Sequence, residues 1–184
     1  MKPFCLPVLF MGLLGPGTAF AANAPVRTAV QIHRALSAAP SAIADGATVV
    51  TWEGKGHITE LRHGSNGWTC FIASGDPEPL PACFDANGMA WIRAYAAGRA
   101  PDPNKPGYSY MLQGGSAWSN TDPKATELPA DRKTWIHIPP HVMILSSRIA
   151  GDSGFPSGQT NPNTRKPFVM FGGTKYAILI IPVK

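Results

Sequence analysis

Charged side chains are scarce in this chain, and cysteine is scarcer still. Only 15% of the 184 residues are Asp, Glu, Lys or Arg, and three are cysteine. No apolar run reaches the roughly 20 residues that a membrane-spanning helix needs. The net charge is +5, but the basic residues are scattered and only Arg132-Lys133 and Arg165-Lys166 are adjacent pairs. We therefore expect neither a membrane span nor a nucleic-acid partner, because the latter requires a basic cluster or stripe.

The first residues have the pattern of a secretory signal peptide. Lys2 provides a positive charge, residues 4–14 are largely apolar, and Ala19-Phe20-Ala21 has the small-x-small spacing of a cleavage site. Ala22-Asn23-Ala24 offers a second such site. We predict a signal peptide over residues 1–21 and a single exported domain over 22–184, secreted or periplasmic. A chain of that size can bury a sizeable core.

The cysteines agree with an exported protein. Cys5 would leave with the signal peptide, so the mature chain keeps Cys70 and Cys83. Two cysteines close in sequence and outside the cytoplasm most simply form one disulfide. We expect this bond to join a strand to the start of a helix.

Hydrophobic periodicity predicts an α+β fold with two main helices, long loops and a largely antiparallel sheet. One helix is predicted over residues 28–38 with Thr28 as its cap, and another over 85–97, opened by Asp85. Long loops are expected at 114–132 and 148–166. The chain should close on a hairpin of residues 168–171 and 177–183. The predicted strands are 47–52, 57–61 (after a turn at 54–56), 68–73, 108–112, 135–138, 142–145, 168–171 and 177–183.

Several short motifs between residues 32 and 183 form a recognisable set. They are Arg34-Ala35-Leu36-Ser37-Ala38-Ala39-Pro40, Asn66-Gly67-Trp68-Thr69-Cys70, Asp76-Pro77, Cys83-Phe84-Asp85, Met89-Ala90-Trp91, Tyr110-Met111-Leu112, Ser119-Asn120-Thr121-Asp122-Pro123, Pro140-His141-Val142-Met143, Phe168-Val169-Met170-Phe171-Gly172-Gly173-Thr174 and Ile181-Pro182-Val183. Together they resemble a widespread family of secreted bacterial proteins of unknown function. The resemblance implies an exported, disulfide-containing domain and no particular activity. Members of that family have histidine where this chain has Ile178, so a site that relied on that histidine would be incomplete here.

The polar segment 118–122 and His141 are the candidate site. Trp118, Asn120, Asp122 and His141 suit a small polar ligand, such as a sugar or peptide. Ser119, His141 and Asp122 also have the residue types of nucleophile, base and orienting acid in a hydrolase. Ser119 lacks the Gly-x-Ser-x-Gly turn of such enzymes, however. A structural turn ending in Asp122-Pro123 explains the segment more simply.

Metal binding receives little support from the sequence. His137 and His141 are four residues apart, but Pro139-Pro140 excludes a helix between them. In an extended segment they would be about 13 Å apart, too far to share an ion. Met111, Met143 and Met170 on apolar strands are more typical of a core than of a copper site. We therefore expect no metal and no cofactor.

Two further motifs also have simpler explanations. Gly151-Asp152-Ser153-Gly154 is similar to the nucleophile segment of chymotrypsin-like proteases, but no other feature of that fold is present. Asp76, Glu78 and Asp85 lack the spacing of a calcium loop. We predict that Asp85 caps a helix instead.

These observations favour a binding or accessory protein of unknown specificity. A small hydrolase that uses His141 and Asp122 is one alternative, and an envelope protein-interaction module is another. A pocket with His141 and Asp122 in hydrogen-bond contact would favour the enzyme. An aromatic-lined pocket without such a pair would favour binding.

Overall fold

A computed structural model describes residues 24–52, 57–73, 77–128, 130 and 135–183. The predicted signal peptide, the predicted turn at 54–56, Asp76 and the pair Arg132-Lys133 lie outside these ranges. None of the helices in the described ranges has the length and apolar character needed to cross a membrane.

The described residues form an α+β structure. Its helices are α1 (Ala24–Leu36), α2 (Ser41–Ala44), α3 (Ala86–Ala96) and α4 (Ile149–Asp152). Its strands are β1 (Thr48–Trp52), β2 (Ile58–Arg62), β3 (Thr69–Ile72), β4 (Pro81–Phe84), β5 (Gly107–Met111), β6 (Gly115–Ala117), β7 (Ile136–Ile138), β8 (His141–Leu145), β9 (Phe168–Met170) and β10 (Ile178–Pro182).

Eight of these strands form one sheet, in the order β2-β1-β3-β4-β5-β8-β10-β9. Every neighbouring pair in it is antiparallel except β1 and β3, which run parallel. β6 and β7 form a separate two-stranded antiparallel ribbon. The prediction of an α+β fold with a largely antiparallel sheet is therefore confirmed.

One face of the sheet, here called the α1 face, packs against the first helix. Because side chains alternate along a strand, the register places Val49, Cys70 and Cys83 side by side on this face. Ala35 and Ala38, from α1 and the turn that follows it, cover them at 2% and 0% exposure. Small helix residues thus let α1 lie close to the sheet.

The opposite face, here called the pocket face, carries larger apolar side chains. The register aligns Phe84, Ser109, Met143, Ile180 and Phe168 across five strands. Helix α3 and the β6–β7 ribbon pack over this face and, with it, form the largest buried cluster. The separation between this cover and the sheet is what creates the pocket described below.

The prediction for the second helix is confirmed. Helix α3 spans Ala86–Ala96, and the carboxylate of Asp85 accepts a hydrogen bond from the Gly88 amide at 2.7 Å. That oxygen also accepts from the Tyr108 amide at 2.9 Å, so the cap joins α3 to β5.

The prediction for the first helix was partly wrong, and two strands, β4 and β6, were not predicted. Thr28 lies inside α1 and does not begin it, and Val30, predicted on its apolar face, is 61% exposed. Strand β4 begins with a proline, which is tolerated at a strand's first residue but breaks the expected pattern. Strand β6, Gly115–Ala117, lies in the predicted loop because its small residues give little strand signal.

The disulfide between Cys70 and Cys83 is present, but it joins two strands. The cysteines face each other across β3 and β4, with their α-carbons 4.0 Å apart. The expectation that the bond joins a strand to a helix start was therefore wrong. Cys83 is the third residue of β4, and the helix begins three residues later.

Candidate functional site

A pocket of about 510 Å³ lies between the pocket face of the sheet and its cover. The sheet forms its floor, α3 forms one side, and β6 with the segment that follows it forms another. Three of the five residues 118–122 border the pocket, namely Trp118, Ser119 and Asp122, together with His141 from β8. The volume lies in the range of small-molecule sites.

Aromatic rings form much of the pocket wall. Phe71 stacks on Phe84 with ring centres 5.5 Å apart, and Trp52 contacts Phe71 at the same distance. On α3, Trp91 stacks on Tyr95 at 5.7 Å. The aromatic lining residues are Trp52, Phe71, Phe84, Trp91, Tyr95, Trp118 and Phe171. Rings held in such contacts offer a large, rigid apolar surface to a ligand.

The strand register assembles the floor of the pocket. Met111 on β5 lies directly opposite His141 on β8, and Met143 follows two residues later on the same face. All three are buried and border the pocket. The three predicted core methionines, which include Met170, are at most 8% exposed, so that interpretation is confirmed.

His141 is the buried polar group of this floor. Its side chain is almost fully covered, at 1% exposure, and its Nδ1 lies 2.8 Å from the carbonyl oxygen of Pro139. Because a carbonyl can only accept, Nδ1 carries the proton. Burial disfavours the charged ring and lowers the pKa of His141 from 6.5 to about 4, against a smaller opposing effect of the Pro139 hydrogen bond. At neutral pH the ring is therefore uncharged.

Ser119 forms a local turn. Its Oγ accepts hydrogen bonds from the backbone amides of Thr121, at 3.2 Å, and Asp122, at 3.0 Å. Within the described ranges, no hydrogen bond joins Ser119 to His141 or His141 to Asp122. The geometry of a nucleophile, base and orienting acid is thus not assembled among these three residues.

Asn120 fastens the segment and does not border the pocket. It is 1% exposed, its Nδ2 donates to the Gln159 carbonyl at 2.6 Å, and its own backbone carbonyl accepts from the Phe171 amide at 2.7 Å. These bonds fix residues 118–122 to the loop before β9 and to the turn after it. Asn120 therefore holds Trp118 and its neighbours in position beside the pocket.

Trp118 and Asp122 both border the pocket, with different surroundings. Trp118 packs edge-on against Trp135 at 5.9 Å. Asp122 is exposed, and its Oδ1 accepts a hydrogen bond from the Lys124 amide at 2.8 Å. The hydroxyl of Tyr95 donates to the Pro123 carbonyl and so ties this segment to α3.

The remaining sequence candidates lie apart from the pocket. His137 is exposed on β7, with its Nδ1 3.9 Å from a Glu78 carboxylate oxygen. Asp152 is exposed on α4, and the Ser153 hydroxyl accepts from the Phe155 amide. Among the residues that the structure describes, no three His, Cys, Asp or Glu side chains are grouped so that they could hold a metal ion.

Sequence reasoning missed most of the apolar lining. Gly115 borders the pocket beside His141, and a Cβ at Gly115 would lie 3.0 Å from the ring carbon Cε1. Trp52, Phe71 and Phe84 also border the pocket and were not among the predicted site residues. Strand alternation indicates that each of them faces one side of the sheet, but only the sheet order shows that they share a side.

Comparison of the chain with protein-family models, with curated proteins and with solved structures gives no match. The resemblance to a family of secreted bacterial proteins therefore stays a prediction.

Proposed function

We propose that this protein is an exported binding protein that holds a small, largely apolar ligand in the pocket over its sheet. The observation that carries the proposal is the pocket itself: about 510 Å³, with aromatic rings and methionines around it. Its charged lining residues, Asp122 and Lys124, are exposed, and His141 is buried and uncharged at neutral pH. A lining of this kind binds through apolar burial, with few polar contacts for orientation.

The lining favours a less polar ligand than the sugar or peptide suggested by residues 118–122. The Ser119 oxygen accepts two amides of its own turn, and the Asn120 side-chain nitrogen donates to the distant Gln159 carbonyl. Asn120 does not border the pocket. Methionine side chains are flexible and polarisable, so Met111, Met143 and Met170 can adapt to ligands of somewhat different shape.

Export rests on two features. The first 21 residues have the pattern of a signal peptide. The disulfide of Cys70 and Cys83 agrees with an oxidising compartment. In a bacterium with two membranes, we place the mature protein in the periplasm.

The hydrolase alternative receives less support than binding. Catalysis by Ser119 would need a base within hydrogen-bond reach of its hydroxyl. In the described part of the chain, no hydrogen bond joins the Ser119 hydroxyl to the His141 ring, and the Ser119 oxygen accepts two backbone amides. The pocket over the sheet favours a ligand-binding protein over the interaction module.

Binding of the neutral fluorescent probe N-phenyl-1-naphthylamine tests this proposal. We expect saturable binding to the purified mature protein, with the probe fluorescence rising as it enters the pocket. Ala117 is 7% exposed on β6 and borders the pocket, so Ala117→Leu should fill part of the cavity. We expect this variant to bind about tenfold more weakly, the lower end of what overpacking costs.

The matched control is Ala29→Leu, which adds the same atoms at an exposed position of α1, the helix that packs on the other side of the sheet. Thermal unfolding establishes that both variants are folded. Equal probe affinity in the wild type and in Ala117→Leu would overturn the assignment of the pocket as the binding site.

A further inference from the structure

The His141 ring presents a hydrogen-bond acceptor inside an otherwise apolar floor. Nδ1 donates its proton to the Pro139 carbonyl oxygen at 2.8 Å, and the uncharged ring therefore has a lone pair on Nε2. This bond also fixes the ring orientation, because the carbonyl belongs to the short connection between β7 and β8.

The Nε2 atom has no partner within the described part of the chain. The ring forms its hydrogen bond there through Nδ1, although the residue is only 1% exposed and borders the pocket. The Cε1–Nε2 edge faces Gly115, where an added Cβ would lie 3.0 Å from Cε1 and 3.7 Å from Nε2. The absence of a side chain at Gly115 leaves this edge uncovered from that direction.

An acceptor that loses contact with water and gains no donor is costly, so such groups are nearly always paired in folded proteins. The His141 ring has apolar neighbours on this side. Met111 lies opposite His141 in the strand register, and its methyl carbon lies 3.5 Å from the position that a Cβ of Gly115 would take. Neither Met111 nor Gly115 has a side-chain group that can donate a hydrogen bond. Because His141 borders the pocket, water can supply this donor while the pocket holds no ligand. A ligand that displaces this water must supply the donor itself.

We infer that the pocket selects apolar ligands that carry a neutral hydrogen-bond donor, a hydroxyl or N–H group, and that this donor binds Nε2 of His141. The inference rests on the proposed binding function and adds the chemical class of the ligand. A ligand without a donor covers the nitrogen and leaves it unpaired. A carboxylate directs negative charge at the lone pair and is also disfavoured.

Three naphthalenes of nearly equal size test the inference: 2-naphthol, 2-methoxynaphthalene and 2-naphthoate. We expect 2-naphthol to bind wild-type protein about tenfold more tightly than 2-methoxynaphthalene, since one unpaired acceptor is at stake. The preference is informative because the methoxy compound is the more apolar of the two. His141→Leu should abolish it, and His141→Gln, which keeps an acceptor, should retain part of it.

A spectroscopic readout requires no variant. In ¹⁵N NMR of the wild type, the Nε2 resonance should lie at lower frequency in the 2-naphthol complex than in the 2-methoxynaphthalene complex, because only 2-naphthol supplies a hydrogen-bond donor. This measurement decides the inference even if neither variant folds.

The outcomes separate this inference from the proposed function. If all three compounds bind with equal affinity, or 2-naphthoate binds most tightly, the donor selection is refuted while the binding function stands. If neither neutral naphthalene nor N-phenyl-1-naphthylamine binds, the binding function fails and the inference fails with it. Nε2 resonances at the same frequency in the 2-naphthol and 2-methoxynaphthalene complexes also refute the selection.

Discussion

Acidification should destabilise this protein through His141. The folded pKa of His141 is lowered from 6.5 to about 4, because burial disfavours the charged ring more than the Pro139 hydrogen bond favours it. The unfolded chain therefore binds a proton at higher pH than the folded protein does. The contribution of the His141 pKa shift to the free energy of unfolding is complete above about pH 6.5. It is lost progressively as the pH falls toward 4.

The magnitude follows from the difference between the two pKa values. One pKa unit corresponds to about 1.4 kcal/mol, so the full effect is about 3 kcal/mol of unfolding free energy. This is a substantial part of the roughly 5–15 kcal/mol that is typical of a small domain. The other four histidines are exposed.

Urea denaturation at several pH values between about 7 and 4 measures the effect. Carboxylates also contribute to acid unfolding, so the quantity of interest is the difference between the wild type and His141→Gln. We expect the wild type to lose about 3 kcal/mol more than this variant across that range. His33→Gln, at an exposed histidine of α1, is the matched control and should follow the wild type. Curves for the wild type and His141→Gln that stay parallel within about 0.5 kcal/mol would refute the reasoning.

Three further changes have effects that can be worked out from the structure. Gly115→Ala places a Cβ 3.0 Å from the His141 ring, so we expect weaker binding of N-phenyl-1-naphthylamine. Replacing both Cys70 and Cys83 by alanine opens a loop of sequence separation 13 and should cost about 3 kcal/mol in urea denaturation. Asp85→Ala removes the cap that accepts two backbone amides and should cost about 1–2 kcal/mol in the same assay.

Each of these changes has its own control. Gly151→Ala adds a methyl group where no atom lies within 4 Å, and probe binding should be unchanged. Adding a reductant to the double cysteine variant should not alter its stability, whereas the wild type should lose stability once reduced. Asp85→Asn keeps the accepting oxygen and should retain most of the cap. A Gly115→Ala protein with wild-type affinity, or an Asp85→Ala protein with wild-type stability, would contradict the assigned contacts.

Local chemistry in the sequence was sufficient for several elements. An acidic residue before an apolar helical pattern identified Asp85 as a cap, and a Gly-Gly turn between apolar runs identified the final hairpin. The cysteine count predicted the disulfide. Strand β4 was missed because its proline and its proline-rich approach have the composition of a loop. β6 was missed because three small residues gain their strand conformation from pairing with β7.

The candidate site was predicted only in part. Residues 118–122 and His141 do come near one pocket, but the sequence could not reveal that Ser119 is used by its own turn or that Asn120 is an anchor. Such roles depend on which backbone groups lie within hydrogen-bond distance. For Asn120, those groups belong to segments as distant in sequence as Gln159 and Phe171.

The sequence by itself predicted most of the elements and an address outside the cytoplasm, and it determined the chemistry available at each position. Tertiary structure alone decided which of those positions meet. Met111 and His141 are far apart in the chain, yet the register of β5 and β8 makes them neighbours on one face. A shift of one residue in that pairing would turn His141 away from the pocket, because alternate side chains point to opposite faces of a sheet. The apolar pocket and its buried histidine acceptor are thus properties of strand order and register, which depend on contacts between distant segments.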